Sequence, residues 1–283
     1  MRLMDGLRFA LGTLTVFPVR VERVDRQVAG DAMVLAPAVG LVLGAVAGVP
    51  LLLPVPPLLG AALALGLLAL LSRGLHLDGL ADLADGLGSG KPPAQALDIM
   101  KKSDIGPFGV MTLLFTLVIQ VVALAEGGYW ALVTACVAGR LALTWACRSG
   151  VPAARPDGLG AMVAGTVRRP AAWLATLAAL LAAAAIGLLT APGAGLWAAP
   201  RDGSLAPGIR DLTVEYAPPV VLPAFSGLLV PPLALLAGLG AALLLLGHAR
   251  RRLGGITGDV LGALVESAVA ATLVVCVILQ YVR

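Results

Sequence analysis

Residues 57–90 read PLLGAALALGLLALLSRGLHLDGLADLADGLGSG. The run is apolar from 57 to about 75, close to the ~20 residues that a helix needs to cross the hydrocarbon core of a bilayer. Three carboxylates, Asp78, Asp82 and Asp85, follow at once. On a helix turning about 100° per residue they fall within about 60° of one another, while Leu80, Leu83 and Leu87 fall on the opposite face. The stretch reads as a membrane span that surfaces and turns an acidic face to water. It sets the fold class: an all-α, polytopic integral membrane helix bundle.

The remaining sequence has the same character. Its 283 residues are 59% hydrophobic and only 13% charged, with a mean hydropathy of +0.96. Residues 1–283 therefore form one integral membrane domain, with no separate soluble domain. Seven stretches predict about seven transmembrane helices: 33–53, 57–75, 106–125, 129–147, 171–190, 222–247 and 259–281. Pro231-Pro232 predicts a tilt or kink in the sixth, or a short interfacial piece before it. The apolar segment from Phe9 to Val19 is short and interrupted by Pro18. It reads as a membrane-surface or partly inserted helix, with a removed signal peptide as the alternative. The net charge of +4 is scattered through loops and gives no nucleic-acid footprint. Cys136, Cys147 and Cys276 show no CxxC spacing, which argues against zinc and against a disulfide framework.

Basic residues set the orientation. With a cytoplasmic N-terminus, 16 of the 20 Lys and Arg residues lie on the cytoplasmic side. The other side keeps Arg201, Arg210 and Arg283, while Arg140 lies inside a span. This asymmetry places the aspartates on the cytoplasmic face of the membrane.

Like charges at helical spacing cost about 0.2–0.5 kcal/mol per pair in water, and more at low dielectric. A divalent cation would resolve that conflict. Oxygen-only donors suit Mg²⁺, which keeps water and substrate phosphates among its ligands. The competing reading is a solvated amphipathic helix whose acids keep it out of the membrane. A second polar group, Gly254-Gly255-Ile256-Thr257-Gly258-Asp259, runs into the last span, and Glu266 follows. Asp259 and Glu266 are about 20° from alignment on a helix, and an acid inside a span is usually functional. The glycines alone fit a helix-capping loop equally well. A third element, 101–109, reads KKSDIGPFG. Its lysines suit phosphate oxygens, although position alone favours ordinary positive-inside anchoring. Arg140 needs a partner within the membrane, and an ion pair and a phosphate clamp are equally good readings. His76 and His248, near membrane boundaries, read as interfacial or hydrogen-bonding residues rather than metal ligands. No Walker loop, GxSxG or internal repeat is present, and the Pro- and Gly-rich stretch 191–221 shows no chemical pattern.

GLHLDGLADLADGLGSG at 74–90, MKKSDIGPFGV at 100–110 and GGITGDVLGALVE at 254–266 together resemble the cobalamin synthase family, adenosylcobinamide-GDP ribazoletransferase. The resemblance implies a Mg²⁺-dependent membrane enzyme that joins adenosylcobinamide-GDP to α-ribazole, or its 5′-phosphate, and releases GMP. It also implies that Asp78, Asp82 and Asp85 form the metal site, with Asp259 and Glu266 as a second acidic group. One acid among Asp78, Asp82, Asp85 and Asp259 would take the proton. Lys101, Arg140, Arg148 and Thr257 become candidate phosphate ligands. The family's usual Met-Lys-Asp-Ser-Arg-Ile-Gly carries an acid where Lys102 stands and a base where Asp104 stands, so those two roles stay open. Besides the substrates, the expected partner is the lipid bilayer, with no nucleic acid and with oligomeric state open. Competing functions fit less well. The CDP-alcohol phosphotransferase pattern DGxxAR…GxxxDxxxD is absent, and 254–266 matches a second DxxxD motif of an aromatic prenyltransferase poorly. A transporter would place its acids nearer the midplane of two similar halves.

Overall fold

The structure is a computed structural model that describes residues 2–189 and 225–281. It is helical: α1 (Arg2–Leu14), α2 (Arg26–Ala47), α3 (Pro57–Leu71), α4 (Leu75–Gly88), α5 (Pro93–Ile99), α6 (Pro107–Ala146), α7 (Gly158–Val163), α8 (Arg169–Leu189), α9 (Phe225–Leu253) and α10 (Gly258–Tyr281). A single 3₁₀ turn, Val49–Leu52, links α2 to α3. Among the described residues there is no strand, only two isolated bridges, Arg148 to Val167 and Ala153 to Ile256. The segment 191–221 lies outside the described residues.

Five helices are long and apolar enough to cross a membrane: α2, α6, α8, α9 and α10. The number becomes six if α3 and α4 form one broken span. The difference from the expected seven centres on α6, a helical run of 40 residues interrupted at Gly128 (φ 71°, ψ −167°). Gln120 hydrogen-bonds Glu266 at 2.9 Å, and Gly139 lies against the neighbouring Val265. In a straight helix residues 120 and 139 would stand about 28 Å apart. The chain therefore folds back at Gly128, and α6 is two antiparallel arms. The first arm turns Met111, Leu114, Phe115, Val118 and Val122 outward, an apolar face suited to lipid.

α10 is the central helix, lined with buried side chains along most of its length. Its neighbours approach through glycines. A Cβ on Gly139 would lie 3.1 Å from the Val265 carbonyl, and one on Gly238 would lie 2.6 Å from the Ala268 carbonyl. Between helices in a bilayer, such close backbone approach supplies the packing that water would otherwise drive. α9 runs unbroken through Pro231 and Pro232. α1 has only 13 residues and buries Phe9, Ala10 and Leu14 as it packs on α2, in keeping with a surface helix rather than a span.

The bend between α3 and α4 positions the site. Arg73 (φ 57°) and Gly74 (φ 65°) are consecutive left-handed residues, and they turn α4 by 89° from α3. α4 is thereby laid across the ends of α10 and α6.

Candidate active site

Two glycines let α4 touch α10 backbone to backbone. A Cβ on Gly79 would stand 2.8 Å from the Asp259 carbonyl oxygen, and one on Gly262 would stand 3.1 Å from the His76 Cα. This crossing brings Asp78 and Asp82, one turn apart on α4, beside Asp259 in the first turn of α10. Asp82 is raised to a pKa of about 6, first by desolvation and then by the charges of Asp78, Asp259 and Asp85. The carboxylates thus form an electrostatically frustrated group.

Asp85 is drawn into another task. Its Oδ2 accepts the Gly106 N–H at 2.7 Å and its Oδ1 accepts the Gly109 N–H at 2.9 Å. It caps the first turn of α6, where free amides and the helix dipole favour an anion. Gly106 and Gly109 are required there, because a Cβ on either would collide with this carboxylate. Part of the 101–109 element therefore serves as a cradle for Asp85.

Thr257 also works structurally. Its Oγ1 accepts the Val260 N–H at 3.2 Å, capping α10, and lies 3.2 Å from Asp259 Oδ2. Glu266 is two turns deeper, at 8% exposure, and accepts a hydrogen bond from Gln120. Arg140, 1% exposed, interacts electrostatically with both Glu266 and His76. Among the described residues, its Nε and Nη1, and His76 Nε2, meet no hydrogen-bond partner. Arg140 is thus part of an interior polar cluster beneath the acids. Lys101 is exposed at the rim, 3.9 Å from Asp157. Lys102 and Asp104 are exposed as well. Arg148 lies in a different corner, over the ring of Trp145 at 5.4 Å.

The residue that the sequence reading missed is Arg155, counted there only toward orientation. Its Nη1 is 3.7 Å from Asp259 Oδ2, its Nη2 donates to the Leu97 carbonyl at 2.5 Å, and its Nε is buried with no partner among the described residues. Arg155 also acts electrostatically on Asp82. The loop is pinned by the Ala153 to Ile256 bridge, with Ala154 N–H to Ile256 O and Ile256 N–H to Pro152 O both at 3.0 Å. Gly255 permits this approach, since a Cβ there would lie 2.5 Å from the Pro152 carbonyl.

Among the described residues, no three His, Cys, Asp or Glu side chains are arranged to hold an ion by themselves. Donors of the right chemistry are nevertheless present in Asp78, Asp82 and Asp259, which offer only oxygen atoms. That set suits a hard cation that fills its shell with water and phosphate oxygens. Two grooves, along α3 and along the first arm of α6, are apolar and are not lined by these acids.

Fold and site together define a polytopic membrane helix bundle with an acidic, arginine-bridged site at one end. The family model for cobalamin-5-phosphate synthase matches residues 6–277, and the chain belongs to that family. It is 43% identical to the adenosylcobinamide-GDP ribazoletransferase of Frankia casuarinae, over 96% of this chain and 94% of that one. It is 38% identical to the enzyme of the same name from Nocardioides sp., covering 95% and 96% of the two chains. The corresponding protein of Corynebacterium efficiens is 35% identical, over 98% of this chain and 92% of its own. No solved structure matches.

Proposed function

We propose that this protein is an adenosylcobinamide-GDP ribazoletransferase acting at the cytoplasmic face of the inner membrane. Nearly full-length similarity to proteins of that name supports the activity, and the distribution of Lys and Arg supports the orientation. The observation that carries the site is the crossing of α4 over α10, which gathers Asp78, Asp82 and Asp259 around Arg155.

In the reaction a hydroxyl of α-ribazole, or of its 5′-phosphate, attacks the phosphorus attached to the cobinamide arm. The new P–O bond forms as the pyrophosphate P–O bond breaks, and GMP leaves with the electron pair. The hydroxyl proton passes to a carboxylate of the cluster. Asp78, Asp82 and Asp259 would hold Mg²⁺, which when bound neutralises phosphate charge during transfer. Arg155, anchored on the Leu97 carbonyl beside Asp259, would supply a positive charge facing the substrate phosphates. Lys101 supplies a second cation at the rim. Asp85 holds the start of α6, and Glu266 with Arg140 holds the floor.

Alanine variants separate these roles. Asp82→Ala and Asp259→Ala should lose most GMP release while remaining folded, whereas Asp85→Ala should lose stability. Near-normal turnover of folded Asp82→Ala would overturn the metal assignment.

A further inference from the structure

Three arginines gather at a corner far along the sequence from the aspartates. Cys147 and Ser149 pair with Val167 through hydrogen bonds of 3.0 and 2.8 Å, which sets Arg148 beside Arg168 and Arg169 at the start of α8. Arg250, near the end of α9, donates to the Gly150 carbonyl at 3.2 Å, and Arg169 Nη2 lies 4.0 Å from the Cβ position of the same glycine. Arg148 is held in place by its bond to the Trp145 carbonyl at 3.1 Å and by its position over that ring. Among the described residues, no carboxylate comes within 4.0 Å of Arg148, Arg169 or Arg250. Desolvation lowers the Arg148 pKa, and the charges of Arg250 and Arg169 lower it further. Three converging cations with no carboxylate beside them among the described residues call for an anion.

The surroundings say which anion. Trp145 packs edge-on against Trp173 at 4.9 Å, and Trp173, in the first turns of α8, is 63% exposed. Below it, Leu174, Leu177 and Leu181 continue the exposed apolar face. An indole at the end of a span, with arginines above and leucines below, marks the headgroup level of a membrane. α8 packs on α9, α6 and α2, while α4 packs chiefly on α10, α6 and α5, so the corner and the acidic site share α6 but otherwise rest on different helices.

We propose that Arg148, Arg169 and Arg250 bind the phosphate of an anionic phospholipid whose acyl chains lie along the apolar face of α8. The site would seat this end of the bundle at the membrane surface independently of catalysis.

The test is native mass spectrometry of the intact protein released from nanodiscs of phosphatidylcholine with a minority of phosphatidylglycerol. Wild-type protein should retain phosphatidylglycerol about tenfold more than the variant carrying Arg148→Gln, Arg169→Gln and Arg250→Gln. A variant with Arg20→Gln and Lys91→Gln, exposed cations on other loops, should retain it like the wild type. If the triple variant does not fold, Arg169→Gln alone should reduce retention about threefold. Unchanged retention in folded triple or single variants would overturn the proposal. So would displacement of the lipid by inorganic phosphate or GMP, which would make the corner a site for soluble phosphates.

Discussion

Replacing Arg155 by Gln tests how the acidic site is held together without a metal. The guanidinium is 3.7 Å from Asp259, and the two side chains are 16% and 23% exposed. At an effective dielectric near 20, such a pair attracts by about 4 kcal/mol before desolvation is counted. Desolvation offsets most of this, leaving roughly 1.4 kcal/mol as a working figure, a factor of ten in an equilibrium constant. A divalent cation entering the site must compete with Arg155 for these carboxylates. In the substrate-free protein, Arg155→Gln should therefore bind Mn²⁺, as a Mg²⁺ surrogate, about tenfold more tightly. Turnover should fall, because a donor for substrate phosphate is lost. The assay is Mn²⁺ titration by electron paramagnetic resonance on detergent-solubilised protein, with GMP release measured on the same preparation. Unchanged or weaker Mn²⁺ binding by folded Arg155→Gln would refute the reasoning and leave Arg155 as a strut between the Leu97 carbonyl and α10.

Asp85→Ala leaves the Gly106 and Gly109 amides without their acceptor and should lower stability by about 2 kcal/mol, read as a reduced unfolding midpoint in detergent. Asp82→Ala removes a charge held in an unfavourable position, so its midpoint should equal or exceed that of the wild type even as turnover is lost. Gly79→Ala places a methyl group against the Asp259 backbone; separating α4 from α10 should cost about 1–3 kcal/mol and reduce activity. Arg140→Met removes the buried cation that acts electrostatically on Glu266 and should lower stability, a loss that the added change Glu266→Gln should largely recover. Equal midpoints for the single and double variants would show that the two residues are not coupled.

The membrane class and the acidic face of α4 were legible because both depend on local spacing. Asp78 and Asp82 stand one turn apart as the period requires. The interruption between 125 and 129 likewise marked the fold-back at Gly128, since an apolar run of 40 residues exceeds a single crossing. That Arg140 needs a charged neighbour was also legible, but which groups it meets depended on packing: Glu266, on which it acts electrostatically, lies 126 residues away. Long-range contacts account for the remaining differences. Asp85 shares the face of the other two acids, yet its carboxylate is captured by amides of α6. Arg155 looked like one more basic loop residue until the Ala153 to Ile256 bridge carried it to Asp259. A motif shows which charges share a helix face, but not which backbone amides or distant cations reach them.

The most direct measurement is turnover by purified, detergent-solubilised protein supplied with adenosylcobinamide-GDP and α-ribazole 5′-phosphate. GMP and the corrinoid product are followed with Mg²⁺ and with EDTA. The expected result is equimolar, Mg²⁺-dependent formation of both products, abolished by EDTA and restored by added Mg²⁺. No turnover by folded protein under these conditions would contradict the transferase assignment, and undiminished turnover in EDTA would contradict the role given to Asp78, Asp82 and Asp259.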